Sequence, residues 1–329
     1  MATRVIDDSK LQDIAVAIQG KDGGGQMTVD EMPTRIATIP TQDNALLYSL
    51  INRSITSIEN SEVTSIGSSA FQNCTNLTSV SLPNVTVIRD NAFHSCTNLT
   101  SVSFPNVTSI STYVFYGCAN LTSVSFPNVT SIGIYVFHGC TNLTSVSLPN
   151  VTSIGSSAFQ NCTNLTSVSL PNVTVIRDNA FQNCTNLTSV SLPNVTVIRD
   201  NAFQRCTNLT SISFPNVTSI SAYAFYGCTN LTSVSFPNVT SIGANAFRTC
   251  TNLSIVILGK RATLSNSNAF SGADNVITYV QPEDLSWYST ATNWSTLYAQ
   301  DRIKSIEDLT GDDLIWYQEQ LARYQAQTA

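Results

Sequence analysis

The residues able to carry redox, metal or acid–base chemistry fall into columns. All nine cysteines, Cys74, Cys96, Cys118, Cys140, Cys162, Cys184, Cys206, Cys228 and Cys250, stand 22 residues apart. The count is odd, and a column stacked at about 5 Å brings thiols near one another without the geometry a disulfide requires. A line of thiols also offers no tetrahedral cluster for a metal. Free thiols packed as small hydrophobes are therefore expected. The two histidines, His94 and His138, lie two repeats apart, which nearly excludes chemistry that needs a histidine pair. Asp178 and Asp200 occupy equivalent positions one repeat apart, so their carboxylates approach to about 5 Å, the separation of a retaining glycosidase. Each follows an arginine, Arg177 and Arg199, and a cross-paired surface ion cluster explains them more simply. No nucleophile–base pair, phosphate-cradling glycine loop or metal set rises above background, so no enzyme and no cofactor is expected.

Binding is the chemistry that remains. Repeats that otherwise agree closely vary after each isoleucine and around each phenylalanine, which places the variation on one edge. Tyr113, Tyr116 and Tyr135 fall in consecutive repeats there, with Arg89 and His94 on the preceding one, and Tyr223 and Tyr226 make a smaller copy farther along. Tyrosine gives large amphipathic contact at little entropic cost, which suits sugar rings or a flat protein epitope. These seven residues are the candidate ligand-binding set. The plainer reading is a solvated edge. The Ser79, Ser81 and Thr86 columns are expected to be ordinary exposed strand residues.

Something must hold that edge in register. The unit CTNLTSVSLPNVTVIRDNAFHS begins at Cys74 and returns with small edits until Cys250, and Phe71, Phe93 and Phe115 keep the same step. An unbroken period of this length implies a solenoid in which each coil touches only its neighbours. Val80-Ser81-Leu82 alternates as a half-buried strand does and stops at Pro83, which has no N–H for a ladder. Val85-Thr86-Val87-Ile88 repeats the in-and-out pattern, so two parallel ribbons are expected. One coil cannot bury enough to fold alone, so cooperativity must run along the stack and both ends need caps.

The pattern I-x-x-x-A-F-x-x-C-x-x-L-x-x-V-x-L/F-P-x-V-x-x-I, seen from Ile66 to Ile88, resembles the BspA-like class of bacterial leucine-rich repeats and covers about two-thirds of the chain. The resemblance implies a mainly β leucine-rich repeat solenoid used as an adhesive scaffold. Val85 and its equivalents sit where many such proteins place an asparagine or cysteine, so that ladder is not carried over; Asn76 and Asn84 are expected to work locally through Asx-type turns.

Only 11% of residues are charged and the net charge of −6 comes from the two ends, so there is no basic stripe and nucleic acid is not expected as a partner. No segment is long enough to span a membrane, and the N-terminus lacks a secretory h-region. The unpaired cysteines fit a reducing cytoplasm. The many N-x-S/T triplets are read as by-products of the repeat rather than glycosylation sites.

Three regions follow: a small helical N-terminal module over residues 1–43, the solenoid over 44–280, and a helical C-terminal cap over 281–329. In the first, Leu11, Ile14 and Ile18 share a helical face, a glycine turn follows, and Met32 and Ile36 supply a second face before Pro40. The order L-x-x-I-A-x-A-I-x-x-K, glycine turn, M-x-x-x-x-M-P-x-x-I is similar to an N-terminal module on tail and appendage proteins of phages that infect Gram-positive gut bacteria. That resemblance implies attachment to virion structural proteins through Leu11, Ile14, Ile18, Met32 and Ile36, a solenoid pointing outward, and a virion location. An N-terminal cap on the first coil is the other reading. After Cys250 the repeat slips by one residue so that Phe270 takes the phenylalanine slot, and Trp287, Trp294 and Trp316 lie over the open core or form a partner site. A last helix with Leu314, Tyr317, Leu321 and Tyr324 on one face packs on the cap or on a neighbouring subunit, which leaves self-association open. The function expected is a virion-associated adhesin that recognises a host-surface glycan or protein, with a ligand-free virion decoration as the alternative and a glycan-cleaving tail enzyme as a remote one.

Overall fold

The computed structural model describes residues 55–61 and 63–328. The two N-terminal helices, and with them Leu11, Ile14, Ile18, Met32 and Ile36, lie outside the described residues. The chain divides into two units, Met1–Asn150 and Val151–Ala329, and each is a parallel-stranded stack of 22-residue coils.

In the first unit one ribbon contains β1 (Ser57–Glu59), β3 (Ser79–Ser81) and β5 (Ser101–Ser103) in one sheet, and β7 (Ser123–Ser125) with β9 (Ser145–Ser147) in another. The second ribbon runs through β2 (Ser65–Ile66), β4 (Val87–Ile88), β6 (Ser109–Ile110) and β8 (Ser131–Ile132). Within each sheet the strands pair in parallel with those 22 positions on, as Val80 does with Val102. The strands are shorter than the alternation suggests. Leu82 leaves the first strand, and Val85 spends its N–H on the Leu82 carbonyl at 3.2 Å, so the chain turns after Pro83 and only Val87–Ile88 remain extended.

The second unit opens with β10 (Ser153–Ile154) and repeats the plan. Its first ribbon has β11 (Ser167–Ser169) with β13 (Ser189–Ser191), then a separate sheet of β15 (Ser211–Ser213), β17 (Ser233–Phe236), β19 (Ile255–Leu258), β21 (Ile277–Val280) and β22 (Ile303–Ser305). Its second ribbon runs from β12 (Val175–Ile176) through β14 (Val197–Ile198), β16 (Ser219–Ile220) and β18 (Ser241–Ile242) to β20 (Thr263–Leu264).

Inside each coil the leucine, valine, isoleucine, phenylalanine and cysteine columns are buried. The phenylalanines stack face to face, Phe93 on Phe115 at 5.5 Å and Phe203 on Phe225 at 5.4 Å between ring centres. All nine cysteines are free and buried, as the odd, linear column requires. They do more than fill space: Cys96 donates its S–H to the Phe71 carbonyl of the coil before at 3.0 Å, and Cys228 does the same to Phe203 at 3.1 Å.

The asparagines correct the expectation of local turns, because their bonds run between coils. Asn106 donates to the Pro83 carbonyl at 2.8 Å and Asn216 to Pro193 at 2.7 Å. Asn120 donates to Asn98 at 3.2 Å and Asn142 to Asn120 at 3.0 Å, which makes an amide ladder. The Thr86 column is more than exposed strand, since Thr86 and Thr108 donate in turn to carbonyls one coil back. A third line of bonds was not anticipated. In the turn segment Asn91, Phe93 and Ser95 send their N–H groups to the carbonyls of Thr112, Val114 and Tyr116 at 2.7–3.0 Å.

The phenylalanine slip is present, with Phe247 on Phe270 at 5.4 Å. Trp294 is fully buried against Phe270 and donates its indole N–H to the Ala262 carbonyl. Tyr288 of α1 (Leu285–Thr290) bonds Lys260 and Ala262, and burial pushes its phenol up to about 12. A second short helix, α2 (Ser295–Ala299), leads to β22, a strand the sequence did not reveal. The last helix, α3 (Gly311–Thr328), differs from expectation in face and place. Leu314, Trp316 and Tyr317 pack on Ile255, Ile257 and Tyr279, which point outward from the ribbon, while Leu321 is exposed. Those outward positions are serines in the coils from Ser79 to Ser235 and apolar only here, so the helix lies where the ribbon's outer face needs covering. Trp316 thus belongs to the ribbon's outer face and not to the end of the core.

Candidate functional site

The turn segment that carries the variable edge is built on left-handed backbone. Ser69, Asn91, Tyr113, Tyr135, Ser157, Asn179, Asn201, Tyr223 and Asn245 all have φ between 56° and 60°. Four residues later a second left-handed column holds Asn73, Ser95, Gly117, Gly139, Asn183, Arg205 and Gly227. Those two reversals aim alternate N–H groups along the stack and fix the segment to the next coil. Asparagine, serine and glycine suit such positions; a tyrosine does not and is held there at a cost.

Strain at Tyr113 and Tyr135 accompanies an ordered array of rings. Tyr113 stacks on Tyr135 at 5.0 Å with the planes 8° apart. Beside them His94, Tyr116 and His138 form a second stack, with centres 4.8 and 4.6 Å apart and planes within 8°. The two stacks meet edge-on, Tyr113 to Tyr116 at 5.6 Å and Tyr135 to His138 at 5.5 Å. All five rings are half-buried, so each keeps a face or edge toward solvent. Gly117 and Gly139 follow this stack with φ of +68° and +71°, which keeps bulk away from it.

The array carries no fixed charge. Burial lowers the pKa of both histidines below 6.5, partly offset by backbone hydrogen bonding, so both are neutral at pH 7. The Ser95 hydroxyl lies 2.9 Å from His94 Nδ1. Neutral rings with phenol and imidazole edges present apolar faces and hydrogen-bonding groups together, as recognition of polyols or polar epitopes demands.

The structure thus brings together His94, Tyr113, Tyr116 and Tyr135, and adds His138, which the sequence placed on the edge but outside the binding set. Its 22-residue step from Tyr116 was the signal. Arg89 is exposed on the same turn and takes no part in the stacks. In the second unit Tyr223 and Tyr226 meet edge-on at 5.8 Å, with Tyr223 exposed. The column leading to Tyr226 is a ladder of Gln160, Gln182 and Gln204, whose amides bond in series.

The aspartates have structural work. Asp90 accepts from the Thr112 N–H at 3.1 Å and Asp200 from the Ala222 N–H at 3.0 Å, each fastening the turn of the next coil. The expected ion cluster of Asp178 and Asp200 with Arg177 and Arg199 is not formed; among the described residues the salt bridges are Arg261–Asp284 and Lys304–Asp301. No group of three or more metal-ligating side chains converges among the described residues. No helix among them is long and apolar enough to cross a membrane.

Three inter-coil bond lines around a phenylalanine and cysteine core, with an aromatic surface on one edge, define a repeat solenoid whose variable side chains are displayed and not enclosed. The chain belongs to the BspA-type leucine-rich repeat family, whose profile matches residues 45–165, 108–228 and 196–308. A leucine-rich repeat protein from Bacteroides ovatus is similar in structure, with TM-score 0.54 and 29% identity over 66% of this chain and 64% of that one. The chain therefore spans a little under two-thirds of that relative's length. The leucine-rich repeat protein of T. pallidum is 30% identical over 58% of this chain and 72% of its own, with TM-score 0.40. A leucine-rich repeat protein from Eubacterium ventriosum is 21% identical over 73% of this chain and 86% of its own, with TM-score 0.43. No curated protein matches the chain.

Proposed function

We propose that the chain is a virion-associated adhesin that binds a glycan or protein on a host cell surface through the aromatic edge of the first unit. The observation that carries the binding role is the pair of ring stacks, because two of their tyrosines occupy left-handed positions where neighbouring coils place serine or asparagine. A strained aromatic repeated in register is better explained by what it contacts than by what it contributes to the fold. Tyr223 and Tyr226 offer a smaller copy of the same surface. The virion assignment rests on the resemblance of residues 7–39 to an appendage module, with the solenoid as the distal, exchangeable part.

The test replaces Tyr113, Tyr116 and Tyr135 together by serine. The variant is expected to fold and assemble, since the buried core columns are untouched. Adsorption of particles to host cells should fall at least as far as it does for particles lacking the protein. Parental adsorption by a correctly assembled triple variant would remove the edge as the site and favour a decoration without a ligand.

A further inference from the structure

We infer that the cleft between α3 and the first ribbon of the second unit is a binding site for a neutral carbohydrate, separate from the tyrosine edge. The ribbon is open at this point. Where the ribbon is closed, the residue after the first strand donates to the next coil, Leu170 to the Ser191 carbonyl at 3.1 Å and Phe214 to Ser235 at 3.2 Å. Between β13 and β15 that rung is missing at Leu192, as is the one from Thr210 to Thr188, and the strands belong to different sheets. Val190 is consequently half-buried, whereas Val168 and Ile212 on either side are buried. An equivalent opening lies between β5 and β7, so the split is a property of the repeat. Trp316 and Gln320 are what turn this one into a walled cavity.

The cavity measures about 420 Å³, within the range of small-molecule sites. Its floor and sides include Thr188, Ser191, Thr210 and Ser213, and α3 contributes Trp316 and Gln320. No ionisable side chain lines it among the described residues. Gln320 adds an amide to the wall: it is only 7% exposed and it lines the cavity. A glutamine so placed offers a donor and an acceptor to whatever fills the space. An indole surface, a donor–acceptor amide, several hydroxyls and unpaired strand edges match a pyranose, whose C–H face packs on an aromatic ring while its hydroxyls bond around the rim. The uncharged lining of the described residues favours a neutral sugar over an acidic one.

The experiment uses the full chain labelled with 5-fluorotryptophan, whose three tryptophans give fluorine NMR signals that Trp316→Phe assigns. Maltotriose and chitotriose are the neutral probes and sialyllactose the acidic one. A saturable shift of the Trp316 signal with a neutral trisaccharide, and none with sialyllactose, is expected. Gln320→Leu should weaken the response about tenfold, the loss of one good hydrogen bond. Ser211→Arg, on the exposed ribbon face and away from the helix packing, should block it even if the glutamine variant loosens α3. Absence of any shift with both neutral sugars, a response to sialyllactose alone, or unchanged affinity in either variant overturns the proposal. The Tyr113, Tyr116 and Tyr135 triple variant should keep the Trp316 response; its loss there would show that the two surfaces are not separate.

Discussion

Each buried thiol is both a packing group and a weak donor, and that sets the response of the fold to alkali. Desolvation pushes Cys184 up to about 12 and holds Cys118, Cys206 and Cys228 well above the ordinary 9.0. The folded chain therefore keeps protons that the unfolded chain releases. The stability this represents is complete below the unfolded thiol value and drains away as pH rises toward the folded values. The urea midpoint should stay level between about pH 7 and 8 and fall steadily above about pH 9; a flat profile to pH 10 would contradict the burial of the column. Titration of denatured, unreduced protein with a thiol reagent should find nearly all nine cysteines free. A second residue-scale prediction concerns Tyr223, exposed and left-handed between Asn201 and Asn245 in the same slot. Tyr223→Asn should raise stability by about 0.5–1 kcal/mol in chemical denaturation, because asparagine tolerates that conformation better. A loss of stability would mean that the Tyr226 contact outweighs the strain.

Helix α3 is the element whose role departs most from a simple cap. Its Leu314, Trp316 and Tyr317 cover outward-facing Ile255, Ile257 and Tyr279, at positions that the earlier coils fill with serine. Ending the chain at Thr310 should uncover those side chains, enhance the fluorescence of a hydrophobic dye and reduce the stability of the second unit by about 4 kcal/mol. If neither changes, the helix does not hold that face. The sequence signal was available, since Ile255, Ile257, Ile277 and Tyr279 break the serine column. It was missed because a helical period identifies an apolar face without saying which surface receives it, and the face read as Leu314, Tyr317 and Leu321 leaves Leu321 exposed in the fold.

For the whole molecule, the division of labour proposed is attachment through residues 1–43 and recognition through the coils. A stack held by ladders at every coil does not need two short amphipathic helices for its own stability. Deleting residues up to Pro40 should leave the thermal transition of the coils in place while abolishing incorporation into particles, measured on purified virions. Normal incorporation of the truncated protein would refute the attachment role.

The sequence by itself determined the repeat, its register and its core, because side chains 22 residues apart can satisfy one period only by stacking, and every buried column in Phe93, Cys96 and Leu99 follows from that step. It also placed the tyrosines on one edge. Only the tertiary structure decided how the coils are tied: Asn106 and Asn120 bond to the coil before, and Asp200 fastens the turn after it, where local turns and an ion cluster were expected. The reason is geometric. A side chain's partner in a stack is set by a neighbour 22 or 23 residues away, and identical local sequence is compatible with a bond inside the coil or between coils. The same limit hid the cavity under α3, since Trp316 and Gln320 lie more than a hundred residues from the serines they face, a distance no local pattern spans.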